Sequence, residues 1–308
     1  MFQRFLVVLM QVISLFLIMG VGFALGKTGL ISKKGTKEMS SLIMYGATPC
    51  LIISSLQIDW DPDSLRSMGL TVLAIFATYI FFILISSLLY RKEPTDLRLC
   101  MRTGSIYSNC GYMGIPLITA VMGDQAVLVP VLMIAIFNLF TFTHGMMTMG
   151  GREAFSAKKL LTNPPLIAVV AGVVLMLLRV QLPSPLFKAM QSVGSLNSPL
   201  AMIVIVAQLA FADFSGIFSQ ARIYKVVLVK NIVFPVLGAF LLMPFGLDRL
   251  TYISLVILIG TPCAAITSIL AERFDRSPSF AAQLVSLSTL ISAVTLPLMA
   301  VLAEALAR

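Results

Sequence analysis

About ten apolar stretches, each close to the ~20 residues that a helix needs to cross a ~30 Å hydrocarbon core, follow one another along this chain with little sequence between them. They lie near Phe5–Leu25, Met39–Leu56, Ser67–Tyr90, Leu99–Met122, Ala126–Met149, Pro165–Leu178, Leu186–Ala212, Arg222–Phe245, Tyr252–Ala271 and Phe280–Leu306. Hydrophobic residues make up 58% of the 308 and charged residues 11%, with the polar ones gathered between the runs. The pattern predicts an all-α membrane protein of about ten transmembrane helices, inserted in the cell inner (plasma) membrane. No room is left for a soluble catalytic domain, so any function resides within the bundle. The first run is followed by no small-residue cleavage pattern and is expected to be a retained span.

The net charge of +9 is explained by orientation in the membrane. With the N-terminus outside, sixteen of the 22 Lys and Arg residues fall on the inner side, among them Lys33, Lys34, Lys37, Arg91 and Lys92. That bias follows the positive-inside rule and places both termini outside. No basic stripe carries interleaved aromatics, which argues against a nucleic-acid partner. The lipid bilayer is the expected environment. Cys50, Cys100, Cys110 and Cys263 sit in or at the ends of runs without a CxxC or histidine-rich neighbour, so no metal site or disulfide framework is predicted.

Two runs are interrupted by polar and Gly-Pro clusters, Ser108-Asn109-Cys110-Gly111-Tyr112-Met113-Gly114-Ile115-Pro116 and Gly260-Thr261-Pro262-Cys263. Hydrocarbon offers no partner to freed backbone groups, so unwound chain at membrane depth survives only inside protein or against a wet cavity. Paired interruptions in two halves point to a transporter's substrate site. Sliding the chain by ~150 residues brings Pro49 over Pro199 and nearly brings Pro116 over Pro262. Five runs per half force the halves into opposite orientations. The expected fold is therefore a five-plus-five inverted repeat with two broken, crossing helices: residues 1–149, a cytoplasmic linker at 150–163, and residues 164–308.

A break exposes N–H groups at the start of the outgoing half-helix, a ready site for an anion. Gly111 and Gly114 permit close approach, and Pro116 in the first helical turn gives up only a donor that was already orphaned. Asn109, Ser108 and Thr261 add side-chain donors beside Cys110, Pro262 and Cys263, so a carboxylate would be held without a formal positive charge. Pro49 and the Asn197-Ser198-Pro199 segment either flank the crossing or merely kink their helices. Asn138 is a lining candidate on the fifth run, and His144 there either relays protons or packs. Lys230 lies about eight residues, ~12 Å, into the eighth run. It would hold a half-helix carboxyl end, stand in for a coupling cation, or snorkel to the interface. No acid falls at the crossing, which favours an anionic cargo over a cation/proton antiporter of the same fold. No HExxH, serine-nucleophile motif or paired carboxylates occur in the runs, so an enzyme is not expected.

The run GSIYSNCGYMGIPL at Gly104–Leu117, VKNIVFP at Val229–Pro235, GTPCAA at Gly260–Ala265, LVSLSTLISAVTLP at Leu284–Pro297 and the central Pro49 together resemble the auxin efflux carrier family in its compact bacterial form. The resemblance implies a sodium/proton-antiporter-like bundle divided into a scaffold and a crossover domain, moving small organic anions by alternating access. Plant relatives export auxin, and bacterial ones are associated with malonate, malate and similar acids. Carried onto this sequence, the carboxylate would be held by Asn109 and by backbone at Pro262; Thr261 and Cys263 flank that proline, with no second asparagine. The family implies no cofactor beyond sodium or proton coupling, and its members suggest a homodimer.

Overall fold

The computed structural model describes residues 2–58, 62–123, 126–210 and 220–307, and its regular elements are helices, apart from one isolated bridge. The first six are α1 (Phe2–Lys27), α2 (33–55), α3 (Pro62–Leu89), α4 (Thr95–Ile106), α5 (Cys110–Met122) and α6 (Leu128–Gly150). A short α7 (Ala157–Leu161) leads to α8 (Pro164–Leu177), α9 (Ser184–Ser195), α10 (Asn197–Ala210), α11 (Ala221–Phe245), α12 (Arg249–Gly260), α13 (Ile266–Arg273) and α14 (Pro278–Leu306). Most of α3, and all of α6, α11 and α14, are long and apolar enough to cross a bilayer.

The helices fall where the apolar runs do, with two informative departures. Helix α2 starts six residues before its run because Ser32 caps it, accepting a hydrogen bond from the Gly35 N–H at 3.0 Å. Such a cap lets a polar first turn form at the bilayer edge. The fourth, seventh and ninth runs are each two helices. In the seventh, α9 ends at Ser195, four residues before Pro199, where the proline ring would strike the Ser195 carbonyl.

Prolines inside the longer helices are accommodated differently. Pro49, Pro116 and Pro235 each lie two residues beyond a wide, π-type turn, at Ile43–Ala47, Cys110–Gly114 and Val229–Val233. The extra residue in such a turn makes room for the missing N–H and the bulky ring, and wide turns of this kind recur at functional sites. A fourth, at Thr141–Gly145, has no proline. There the Tyr107 hydroxyl donates to the Phe140 carbonyl at 2.9 Å and takes over an acceptor of the helical ladder.

Close packing sets the frame. Helix α1 lies along α10, where a Cβ on Gly22 would overlap the Ile203 backbone. The Thr48–Ser55 part of α2 is sandwiched between α8 and α9. Beside it the Asn197 amide meets the Thr48 hydroxyl at 2.6 Å, joining the two proline segments of the first and second halves. Helix α14 is the most buried of the long helices and packs on α1, α11, α12 and α13. At one end of the bundle Glu93 pairs with Arg222 at 2.7 Å, and Arg276 pairs with Asp96 at 2.5 Å while donating to the Met149 carbonyl.

Candidate functional site

The two interruptions meet. Ser108 and Cys263 form an antiparallel bridge: the Asn109 N–H donates to the Pro262 carbonyl at 2.9 Å, and the Ala264 N–H donates to the Tyr107 carbonyl at 2.9 Å. Each unwound segment thus supplies the partners that the other has lost to helix breaking, which is what lets irregular backbone persist among apolar helices. The Cys263 N–H continues outward, donating to the Ser288 hydroxyl at 2.9 Å, and Ser288 donates to the Asn231 side-chain oxygen at 2.8 Å. The Asn231 amide returns to the Ser288 carbonyl at 2.9 Å, so α11 and α14 brace the second break from behind.

A cavity of about 180 Å³ opens on the other side of the bridge. It has room for several waters or a small organic ion. Its polar wall comprises Thr48, Ser108, Asn109, Asn138, Thr141 and Asn197; the remainder is apolar, with Met44, Tyr112, Phe137, Phe142 and Ile269 prominent. No acidic or basic side chain is among the described residues that line it.

Two helix starts face this space. In α5 the N–H groups of Met113 and Gly114 both donate to the Asn109 carbonyl, so those of Cys110, Gly111 and Tyr112 have no carbonyl of their own helix to bond. In α13 the Thr267 and Ser268 N–H groups reach the Ala264 and Ala265 carbonyls, which leaves Ala265 and Ile266 in the same condition. Gly111, Tyr112, Ala265 and Ile266 all line the cavity. Asn109 stands at the N-cap of α5, where an asparagine normally closes its side chain onto the first turn. Here it does not: the side chain makes no capping bond, is 5% exposed, and forms part of the cavity wall.

The remaining predicted residues are distributed around this centre. Asn138 lines the cavity while its amide donates to the Ile134 carbonyl of its own helix at 2.8 Å. Asn197 lines it beside Thr48, with its side-chain oxygen buried and unpartnered. Thr261, Pro262 and Cys263 lie at the bridge rather than in the cavity wall; the Thr261 hydroxyl caps α12 by donating to the Leu258 carbonyl, and the Pro262 carbonyl is occupied by Asn109. Cys110 and Gly114 are buried behind the wall, Gly114 close against Leu258. Pro116 is buried in α5, whereas Pro49 is half-buried in α2 and Pro199 is exposed on α10; none of the three prolines lines the cavity.

His144 lies outside the cavity wall, with one ring nitrogen 3.0 Å from the Tyr107 hydroxyl and the other 3.2 Å from Thr148. Because Tyr107 donates its one proton to Phe140, Nδ1 of His144 is the donor in the bond they share, and both ring nitrogens have a partner. Lys230 does not snorkel. It is wholly buried, and its Nζ donates to the Ser108 hydroxyl at 2.6 Å and to the Ile259 carbonyl at 2.7 Å. Sequence reasoning passed over Tyr107, Asn231 and Ser288, although each falls inside a motif that it had singled out.

A family model described as "Membrane transport protein" matches residues 7–159 and 153–300. Among curated proteins, one from Rhizobium meliloti named "Putative malonate transporter" is 25% identical over 272 residues, covering 83% of each chain. "Protein ECM3" of Saccharomyces cerevisiae is 24% identical over 147 residues, which is 44% of this chain and 24% of that one.

Proposed function

Because this chain belongs to the membrane transport protein family, the auxin efflux carriers, we propose that it is a secondary carrier of small organic anions, with the cargo's carboxylate held at the start of α5. The observation that carries the reading is Asn109, a buried N-cap asparagine that leaves both its own amide and the first N–H groups of its helix to the cavity. Donors converging on a helix N-terminus favour negative charge. The lack of any acidic side chain among the described residues of the wall speaks in the same direction, since a cation/proton antiporter needs a carboxylate there. A relative bearing the name of a malonate transporter makes short carboxylic acids the first candidates.

In this reading Ser108 adds a hydroxyl donor, Gly111 lets the carboxylate reach the backbone, and Asn138, Thr141 and Asn197 position the rest of the cargo. The cavity wall draws on two groups of elements: α2, α8 and α10 contribute Met44, Thr48, Pro165 and Asn197, and the two breaks with α5, α6 and α13 contribute the remainder. Relative sliding or rocking of these groups would expose the cargo to either side in turn, with α1, α2 and α8–α10 as the scaffold of a five-plus-five inverted repeat in the plasma membrane, both termini outside. The test is a thermal-unfolding screen of the purified protein against mono- and dicarboxylates, malonate included, followed by uptake into proteoliposomes. A shift with one or more acids and saturable uptake of the same acid are expected. No response to any carboxylate, with a response to alkali cations alone, would overturn the reading.

A further inference from the structure

The wholly buried Lys230 is not explained by the site described so far, because it does not line the cavity. It sits in the wide turn of α11, and its ammonium reaches across to the point where both breaks converge. One bond goes to the hydroxyl of Ser108, in the first break; the other goes to the carbonyl of Ile259, in the last turn of α12 just before the second break. A helix carboxyl end carries partial negative charge and is a natural seat for a cation. Yet no carboxylate pairs with this lysine among the described residues; the ion pairs there all involve other groups. The titratable groups that interact with it are the buried thiols of Cys110 and Cys263. A buried ion without an opposite charge is heavily penalised, so a fold that keeps one gains from an anion that arrives later.

We propose that Lys230 is a built-in cation: its tethered ammonium takes the seat, between the Ser108 hydroxyl and the Ile259 carbonyl, that a bound sodium ion would otherwise need to fill, and it serves as charge partner to the cargo. The inference rests on the carrier reading above and extends it to ion coupling. Ser108, whose hydroxyl accepts from the ammonium, itself lines the cavity. Accepting a bond from Nζ leaves that hydroxyl free to turn its own proton toward a carboxylate, and its present bond to Ile259, at 3.3 Å, is long enough to give up readily. Lys230 thus acts through Ser108 as a positioning residue rather than by touching the cargo. Cargo binding is then independent of sodium, because the cation is part of the chain.

The experiment has a cargo-free arm and a cargo arm. Without cargo, the melting temperature of the wild-type protein is expected to be the same in sodium and in choline at equal ionic strength. Lys230→Ala is expected to melt lower, and to recover with propylammonium, which replaces the deleted atoms and charge, but not with propanol. With malonate, Lys230→Gln, which keeps hydrogen-bond donors and loses the charge, is expected to bind at least tenfold more weakly than wild type while remaining folded. Equal rescue of Lys230→Ala by propanol, a sodium-dependent wild type, or full malonate affinity in Lys230→Gln would each overturn the proposal. Charge-specific rescue together with a wild type that ignores every carboxylate would keep Lys230 as a built-in cation of the fold and retire the anion-carrier reading instead.

Discussion

Replacing Asn109 by alanine separates binding from stability more sharply than any other single change. In wild type the amide has no capping bond to lose, so the usual penalty of about 0.5–2 kcal/mol for deleting an asparagine cap does not apply. The amide faces a cavity with room for water, so its removal leaves no buried group unpaired and the cargo-free Asn109→Ala protein is expected to be about as stable as wild type. With cargo a difference appears. A hydrogen bond to a charged group contributes ~1.5–3 kcal/mol, which at about 1.4 kcal/mol per decade is a loss of roughly 10- to 100-fold in affinity. At a ligand concentration 100 times the wild-type Kd, ligand stabilises the wild type by about 2.7 kcal/mol; the variant, then at 1 to 10 times its own Kd, retains about 0.4–1.4 kcal/mol. Thermal unfolding in detergent, with and without malonate or whichever acid the screen selects, reads both quantities, and uptake into proteoliposomes checks the functional consequence. A variant that melts several degrees lower without cargo, or that keeps the full ligand-induced shift, would refute the reasoning.

Three further outcomes follow from the packing. Gly22→Ala is expected to destabilise by about 1–3 kcal/mol by pushing α1 off the Ile203 backbone, whereas Gly20→Ala, which meets nothing within 4 Å, stays within about 1 kcal/mol of wild type and leans toward stabilisation; the two melting curves decide. Thr48→Val removes the contact between the proline segments of the two halves, worth ~0.6 kcal/mol and up to ~1.7 for a hydrogen bond between helices in a membrane. Asn197→Ala is expected to cost no more than Thr48→Val, since it also deletes an orphaned oxygen, and a double-mutant cycle in detergent measures the coupling. Ser288→Ala strips the second break of its brace, leaving the Cys263 N–H and the Asn231 side-chain oxygen unpaired; a loss of ~1–3 kcal/mol is expected in thermal unfolding, and an unchanged melting curve would count against the relay.

Much of the architecture was legible because membrane helices declare themselves by length and hydropathy, and because glycine and proline mark where a helix must stop. Residues 108–116 and 260–263 pointed to the breaks, although the first is unwound only at residues 107–109 and residues 110–116 already belong to α5. What the sequence withheld was which polar atoms already have partners. The Pro262 carbonyl stands open in the sequence and accepts from Asn109 in the structure, and the partners of both His144 nitrogens, Tyr107 and Thr148, cannot be read from the sequence. Depth alone leaves Lys230 to snorkel, to hold a helix carboxyl end or to stand in for a cation; the pairing with Ser108, 122 residues away, turns it inward. Ser288 and Asn231 lie in runs full of small polar residues, and no periodicity distinguishes the one hydroxyl that holds a break from its neighbours that bond back to their own helix.

The division of labour at the bridge also bears on why this arrangement suits a carrier rather than a tight binder. The inward-facing groups of the two breaks satisfy each other, so the irregular backbone is stable whether or not cargo is present. Only the outward-facing donors, the Asn109 amide and a few first-turn N–H groups, remain for the proposed cargo. An arginine in the wall would make strong bidentate bonds to a carboxylate and slow its release. In the proposed reading the formal charge stays on Lys230, one hydroxyl behind the wall, so that the site would attract an anion while holding it with neutral donors alone. Binding in the range of about −4 to −8 kcal/mol, millimolar to micromolar, is what such a donor set supports, and a carrier that must let go on the far side has reason to stay within it.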